Sequence, residues 1–322
     1  MRWNLGVAAL ASSWGFIWII ADHLSLGAIS LVFWRIGLGT LALGIGAVAS
    51  GRRDLLRLGT AGRWTLLLGP GLAITWFCNF EAMKLSSVAV AVLATYTAPV
   101  FLALLAPLFL PERLSRAVLI SLPIALAGLA LIAFKSNGAG HVRPLAIAVG
   151  VGGAVVLSGL VIIQKHIVRE VNPIGLSFWI DVFALVSLAA VLPFAGRVLP
   201  SASELGYLVI VGVIFTAVSG LIWLTLLRHV TAQAMGFLSY LEPVSASLLA
   251  WLLLGQRLGL AVAVGGVLVL IAGVIVILAE PAESVVGEVA GLPQGGDLAN
   301  APIRGDQAAE ELSGALPRTS AP

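Results

Sequence analysis

The sequence predicts an all-α membrane protein of ten transmembrane helices, built as two inverted five-helix repeats. Three observations predict it: an extremely apolar composition, ten apolar runs of membrane-crossing length, and a match of the chain onto itself. Of the 322 residues, 60% are hydrophobic and only 10% charged, with mean hydropathy +1.07. A soluble domain carries about 25% charged residues, so a water-soluble fold would have nowhere to put this apolar surface. Disorder is excluded on the same ground, and a disulfide scaffold by Cys78 being the only cysteine. A membrane barrel would alternate polar and apolar residues, and these runs do not.

A helix needs about 20 mostly apolar residues to cross a hydrocarbon layer of about 30 Å. Read between charges, prolines and glycine clusters, the spans are 4–21, 27–49, 64–82, 88–110, 117–134, 145–167, 174–196, 206–228, 233–254 and 260–279. The first begins after Arg2, and Ala9-Leu10-Ala11 has the look of a signal-peptide cleavage site. The apolar run nevertheless continues through Trp14, Phe16, Trp18 and Ile20, so it is expected to stay as the first helix. The weakest breaks fall after Ala82, at Lys84, Ser86 and Ser87, and around Thr231. Beyond Ala279 the composition turns to Pro, Gly, Ala and acids. Seven of the fifteen acids lie there, and 280–322 is expected to be a disordered cytoplasmic tail.

Lys and Arg in the connections set the orientation. Ten lie on the side of the amino terminus: Arg2, Arg52, Arg53, Arg57, Arg63, Arg113, Arg116, Lys165, Arg169 and Arg228. Five lie opposite: Lys84, Lys135, Arg143, Arg197 and Arg257. Both termini are therefore expected in the cytoplasm, with the chain in the inner membrane. The pI of 9.4 reflects this bias and carries no nucleic-acid footprint.

The internal repeat is the most informative feature. Laying 82–133 over 226–277 places Tyr96 on Tyr240, Pro99 on Pro243, Arg113 on Arg257 and Leu114 on Leu258; over 96–118, twelve of twenty-three residues are identical. At an offset of 145, Phe33-Trp34 falls on Phe178-Trp179 and Ser13 on Ser158. Tyr, Pro and Arg are scarce here, so their joint match is not a product of greasy composition. The repeats are 1–134 and 145–279. Five spans per copy is an odd number, so the second copy enters the membrane from the opposite side. Inverted repeats around a pseudo-twofold axis are the architecture of alternating-access transporters, with a site near mid-membrane between the halves.

Two five-helix halves of this size, each with a Pro-interrupted helix (Tyr96-Thr97-Ala98-Pro99 and Tyr240-Leu241-Glu242-Pro243) followed by a basic turn (Pro111-Glu112-Arg113-Leu114 and Gly255-Gln256-Arg257-Leu258), resemble the drug/metabolite transporter superfamily. Within it the chain resembles the EamA type, over about 4–279. The resemblance implies export of amino acids or other small metabolites. It also implies a monomer, since ten spans can enclose a pathway for which smaller relatives need two chains. Gln256 stands where the first half has Glu112, a departure that argues against a shared role for that carboxylate.

Candidate pathway residues follow from depth. Tyr96 and Tyr240 lie about 10–12 Å deep at 1.5 Å per residue, beside Pro99 and Pro243, which each remove a backbone bond and kink a helix. The tyrosines either line the pathway or bond a neighbouring backbone. Glu242 is the deepest acid, and its counterpart in the other half is Ala98. It is either a proton or ammonium site or a structural, hydrogen-bonded carboxyl. Arg35 and Asp181 also sit within spans, at different depths, and are expected to snorkel or bind helix ends. Trp14, Trp18, Trp76, Asn79, Gln164 and Trp223 form an aromatic and amide tier that can stack on or grip a ligand, or else mark interfaces. Gly37, Gly39, Gly44 and Gly46, with Gly265, Gly266 and Gly273, predict close helix packing.

The chain lacks a phosphate-binding loop, and its four histidines show no metal spacing. No cofactor and no enzymatic cluster is expected. The expected cargo is a small metabolite with no large net charge, neutral or aromatic amino acids first. A multidrug or quaternary-cation exporter is the first alternative, and a membrane-embedded lipid enzyme a remote one.

Overall fold

The computed structural model describes residues 2–21, 24–57, 60–85, 94–137, 143–255 and 259–279. The break at 86–87, the turn 256–258 and the tail 280–322 lie outside them. The regular structure among the described residues is all helical: α1 (Arg2–Ala21), α2 (Ala28–Ala49), α3 (Thr65–Leu85), α4 (Ala98–Phe109), α5 (Arg116–Asn137), α6 (Pro144–Ile167), α7 (Pro173–Val191), α8 (Ala202–Gly212), α9 (Ser219–Leu227), α10 (Ala232–Leu238), α11 (Leu241–Leu254) and α12 (Leu260–Ala279). Six stretches among them are long and apolar enough to cross a membrane, and α4 and part of α5 are shorter apolar helices. Two spans are composite. A π-helical turn, Val213–Val218, joins α8 to α9, and a two-residue break joins α10 to α11.

Local chemistry starts these helices where the chain enters them. Asn172 accepts from the Ile174 amide at 2.9 Å, with Pro173 in the first turn of α7, where a missing N–H costs nothing. Ser201 and Glu204 form a reciprocal capping box on α8. Thr231, the weak break of the sequence, accepts from the Ala234 amide at 3.1 Å and so starts α10. At its other end α11 stops at Gly255, whose φ of 64° is the left-handed cap that favours glycine.

Packing repeats itself about the predicted axis. α1 lies on α11 as α6 lies on α4, and α2 lies on α8 and the π turn as α7 lies on α3. α2 packs on its own equivalent α7, and α5 on its equivalent α12. The glycine-lined crossings show why small residues are needed. A Cβ on Gly39 would come within 2.8 Å of the Gly212 carbonyl, and one on Gly128 within 2.5 Å of the Gly265 carbonyl. Gly69 meets Phe183 and Ala184 in the same way, at the crossing equivalent to Gly39 and Gly212. Gly37 and Gly46 do not take part: Gly37 is in ordinary contact with Leu185, and space is open around Gly46.

Candidate functional site

The two Tyr-x-x-Pro segments meet where the halves cross. Each span breaks at its tyrosine: Tyr96 and Thr97 form a turn ahead of α4, and Ser239 and Tyr240 form one between α10 and α11. Pro99 and Pro243 therefore sit in the first turns of new helices, where the first amides have no intrahelical acceptor in any case. The expected kinks are realised as full breaks. The Tyr96 and Tyr240 rings lie 5.8 Å apart at 33°, and the Tyr240 hydroxyl donates to the Tyr96 carbonyl at 2.7 Å. Ser158 of α6 donates to the Ala98 carbonyl, in the first turn of α4, at 2.9 Å. The Tyr96 carbonyl at the first half's break, and the first carbonyl of α4, are thus taken by hydroxyls of the second half. Tyr240 is fully buried, whereas Tyr96 is part-exposed and donates its hydroxyl to the Glu242 carboxylate.

Arg35 joins this centre, contrary to the expectation that it snorkels. Its Nε donates to Thr216 Oγ1 at 3.1 Å, and its guanidinium lies over the Trp76 ring, 5.0 Å from the centroid. Thr216 belongs to the π turn, and its hydroxyl bonds back to the Val211 carbonyl at 3.1 Å. Close approach of α2 to this turn at Gly39 and Gly212 brings the two side chains within reach. π turns inside α-helices recur at functional sites because they re-aim side chains at the expense of one regular hydrogen bond. Asp181 (6% exposed) and Glu242 both lie within electrostatic reach of the guanidinium. Arg35 is about 10 Å along α2 from one face and Asp181 about 12 Å along α7 from the other. Their depths differ as expected, so they interact through the field rather than as a contact pair. Among the described residues, neither is hydrogen-bonded to a helix end.

A second cluster unites three of the expected aromatic and amide residues. Trp14 and Trp223 lie 5.6 Å apart at 33°, and the Trp223 indole donates to Gln164 Oε1 at 3.1 Å. All three are part-exposed, and they join α1, α9 and α6. Asn79 is hydrogen-bonded to Thr95, one residue before Tyr96, which places it beside the first break. The Trp18 side chain lies outside the described set. Beside Trp76, a largely apolar groove of about 330 Å³ opens between α2, α3 and α7, lined by Val32, Ala73, Phe77 and Leu188 among others, with Ser187 its one polar side chain apart from the Trp76 indole.

Above and below this layer, the halves are tied across each face. Trp34 Nε1 donates to the Val198 carbonyl at 2.7 Å, and its repeat equivalent Trp179 Nε1 donates to the Leu56 carbonyl at 2.8 Å. Each indole holds the connection of the opposite half, one on each face, and each stands edge-on at 89° to the preceding Phe33 or Phe178. On the face of Val198, Glu204 accepts from the Ser25 amide at 2.9 Å and pairs with Arg197 at 2.8 Å. On the face of Leu56, both Glu112 oxygens accept from the Ala232 amide, at 2.9 and 3.1 Å, and Gln233 bonds the Ser115 amide and the Arg113 carbonyl. Glu112 thus has a role of its own: it caps a helix of the other half. The Lys165 ammonium, counted in the sequence as a loop charge, is buried on the Leu227 and Val230 carbonyls at 3.0 and 2.6 Å.

Two residues of the central layer were not anticipated from sequence. Thr216 carries no signal, since nothing in Val213–Val218 distinguishes a π turn from an α-helix. Arg35 did carry one, as an arginine deep in an apolar span, where a charge is as costly as that of Glu242.

Comparisons with known proteins agree with this architecture. The sequence profile of the EamA-like transporter family matches residues 1–134 and 144–279, once for each half. The chain is 26% identical over 254 residues to the uncharacterized transporter YxxF of Bacillus subtilis, covering 76% of this chain and 79% of that one. It is 27% identical over 266 residues to an uncharacterized transporter of Archaeoglobus fulgidus, covering 80% and 94% respectively. A solved crystal structure superposes with a TM-score of 0.75 at 20% identity, covering 86% of this chain and 96% of that one, a likeness of fold alone.

Proposed function

From the premise that the chain belongs to the EamA-like transporter family, we propose that it exports small zwitterionic metabolites, neutral and aromatic amino acids first, across the inner membrane. It works as a monomeric carrier with both termini in the cytoplasm, and as a carrier it performs no chemistry on its cargo. The observation that carries this reading is the central layer itself. Tyr96 holds Glu242 where the two breaks meet, Glu242 lies within electrostatic reach of Arg35, and Arg35 covers Trp76; three of the four are ionisable groups, which are costly in an apolar membrane interior. One cation set among carboxylates and aromatic faces suits a cargo with both charges and an apolar side chain.

Alternating access follows from the paired ties at the two faces. Rocking one half against the other opens the Trp34 tie or the Trp179 tie in turn and exposes the central layer to one side at a time. With both ties made, as here, the layer is closed at both ends of the α2–α7 contact. The prolines contribute by starting new helices after the breaks at mid-depth, which leaves the Tyr96 carbonyl there for Tyr240 of the opposite half.

A second reading, a quaternary-cation exporter, is favoured by one observation: Arg35 faces two carboxylates, so the cluster is net acidic when both are ionised. Uptake of labelled tryptophan, leucine and a quaternary ammonium into proteoliposomes, at zero and at imposed pH gradient, separates the two. Saturable amino-acid uptake supports the first reading. Uptake of the quaternary cation alone replaces it with the second.

A further inference from the structure

Arg35 presents an unused hydrogen-bonding fork. A guanidinium has five N–H donors in a rigid plane. Here Nε is taken by Thr216 and one face of the plane by the Trp76 ring. Among the described residues the two Nη groups have no hydrogen-bond partner. The side chain is held at its root and along its face, so its free end is aimed rather than mobile. A guanidinium left this way at mid-membrane is costly, and its geometry matches a carboxylate bidentately. Within electrostatic reach of the fork, the Tyr96 hydroxyl orients the Glu242 carboxylate.

We propose that Arg35 is the anchor for a carboxylate on the cargo, and that Glu242, held by Tyr96, faces the cargo's ammonium, so that the site reads the two charges of an α-amino acid from opposite sides. This rests on the amino-acid reading above and sharpens it by assigning a pole to each charge. Trp76, beneath the guanidinium, opens onto the apolar groove lined by Val32, Ala73 and Phe77, which has room for an apolar side chain beside the anchor. Thr216 is a positioning residue, acting through the Arg35 Nε.

The test is equilibrium binding to purified full-length protein in nanodiscs, with three probes of one ring system. Tryptophan carries both charges, tryptamine lacks the carboxylate, and indole-3-propionate lacks the ammonium. In the wild type, tryptophan is expected to bind tighter than either by about tenfold or more, the worth of one charge-assisted bidentate contact. In Arg35→Gln, tryptophan is expected to fall to the affinity of tryptamine while tryptamine is unchanged; Arg35→Lys recovers part of the loss and Thr216→Val shows a smaller one. In Glu242→Gln, tryptophan falls toward indole-3-propionate instead.

Equal loss of tryptophan and tryptamine in Arg35→Gln makes the residue structural and overturns the proposal, as does unchanged tryptophan binding in that variant. Should Arg35→Gln fail to fold, the wild-type ratio decides: tryptamine binding as tightly as tryptophan overturns it, and a tenfold gap upholds it. Absence of binding by all three probes also overturns it. The amino-acid reading fails separately. If liposomes show no amino-acid uptake while indole-3-propionate binding depends on Arg35, the anchor stands and the cargo class becomes a monocarboxylate.

Discussion

Trp34→Phe and Trp179→Phe are expected to loosen opposite faces of the protein. Each substitution keeps an aromatic ring and its edge contact with Phe33 or Phe178, and removes one indole N–H. The hydrogen bonds lost are those to Val198 at 2.7 Å and to Leu56 at 2.8 Å. A neutral hydrogen bond is worth about 0.5–1.5 kcal/mol net. Taking about 1 kcal/mol, each variant changes the opening equilibrium of its own face by about fivefold. Hydrogen–deuterium exchange by mass spectrometry reads this directly, because amide exchange follows local opening. Trp34→Phe should raise exchange in 192–201, where the Ala195 amide bonds Leu192, by about fivefold. It should leave 52–57 unchanged or slower. Trp179→Phe should do the reverse, raising exchange in 52–57, where the Arg57 amide bonds Asp54. If either variant speeds both faces equally, the ties serve general stability. If neither changes its own face, they do not hold the halves together. Both results refute the paired-tie reasoning.

Other expectations test single contacts. Glu112→Ala removes the acceptor of the Ala232 amide at the start of α10 and should cost about 1–2 kcal/mol, seen as a lower thermal midpoint in detergent, with Glu112→Gln keeping part of the loss. Gly212→Ala puts a Cβ within 2.8 Å of the Arg35 carbonyl, and such overpacking costs about 1–3 kcal/mol; because it also pushes the π turn from α2, tryptophan affinity should fall along with stability. Glu204→Gln weakens the pairing with Arg197 at 2.8 Å, which is surface-exposed on the Arg197 side, so its effect on stability should shrink as salt is raised. If Glu242 also carries the coupling proton, Glu242→Gln should abolish concentrative uptake under a pH gradient; unchanged concentrative uptake assigns coupling elsewhere.

The membrane class, the repeat and its inversion were legible in the sequence for a physical reason. A bilayer demands long apolar runs whatever the fold, and in such a background Tyr96 and Tyr240, Pro99 and Pro243, and the two Phe-Trp pairs stand out because they are rare. An odd number of spans per copy then leaves inversion as the only topology. Depth along a helix was legible too, which is why Tyr96, Tyr240 and Glu242 fell into one layer. What the sequence could not show was facing. In a lipid-exposed bundle the outer and inner surfaces of a helix are both apolar, so periodicity does not tell the inward Trp76 from its exposed neighbour Phe77. The inward aim of Arg35 depends on a π turn 181 residues away and on the glycine crossing that brings it near. Glu112 and Trp179 likewise take their roles from backbone groups of the opposite half. Such contacts exist only once the two halves are packed, because a hydrogen bond to a distant carbonyl leaves no imprint on local composition. Tertiary structure alone decided which of the rare polar residues are brought together.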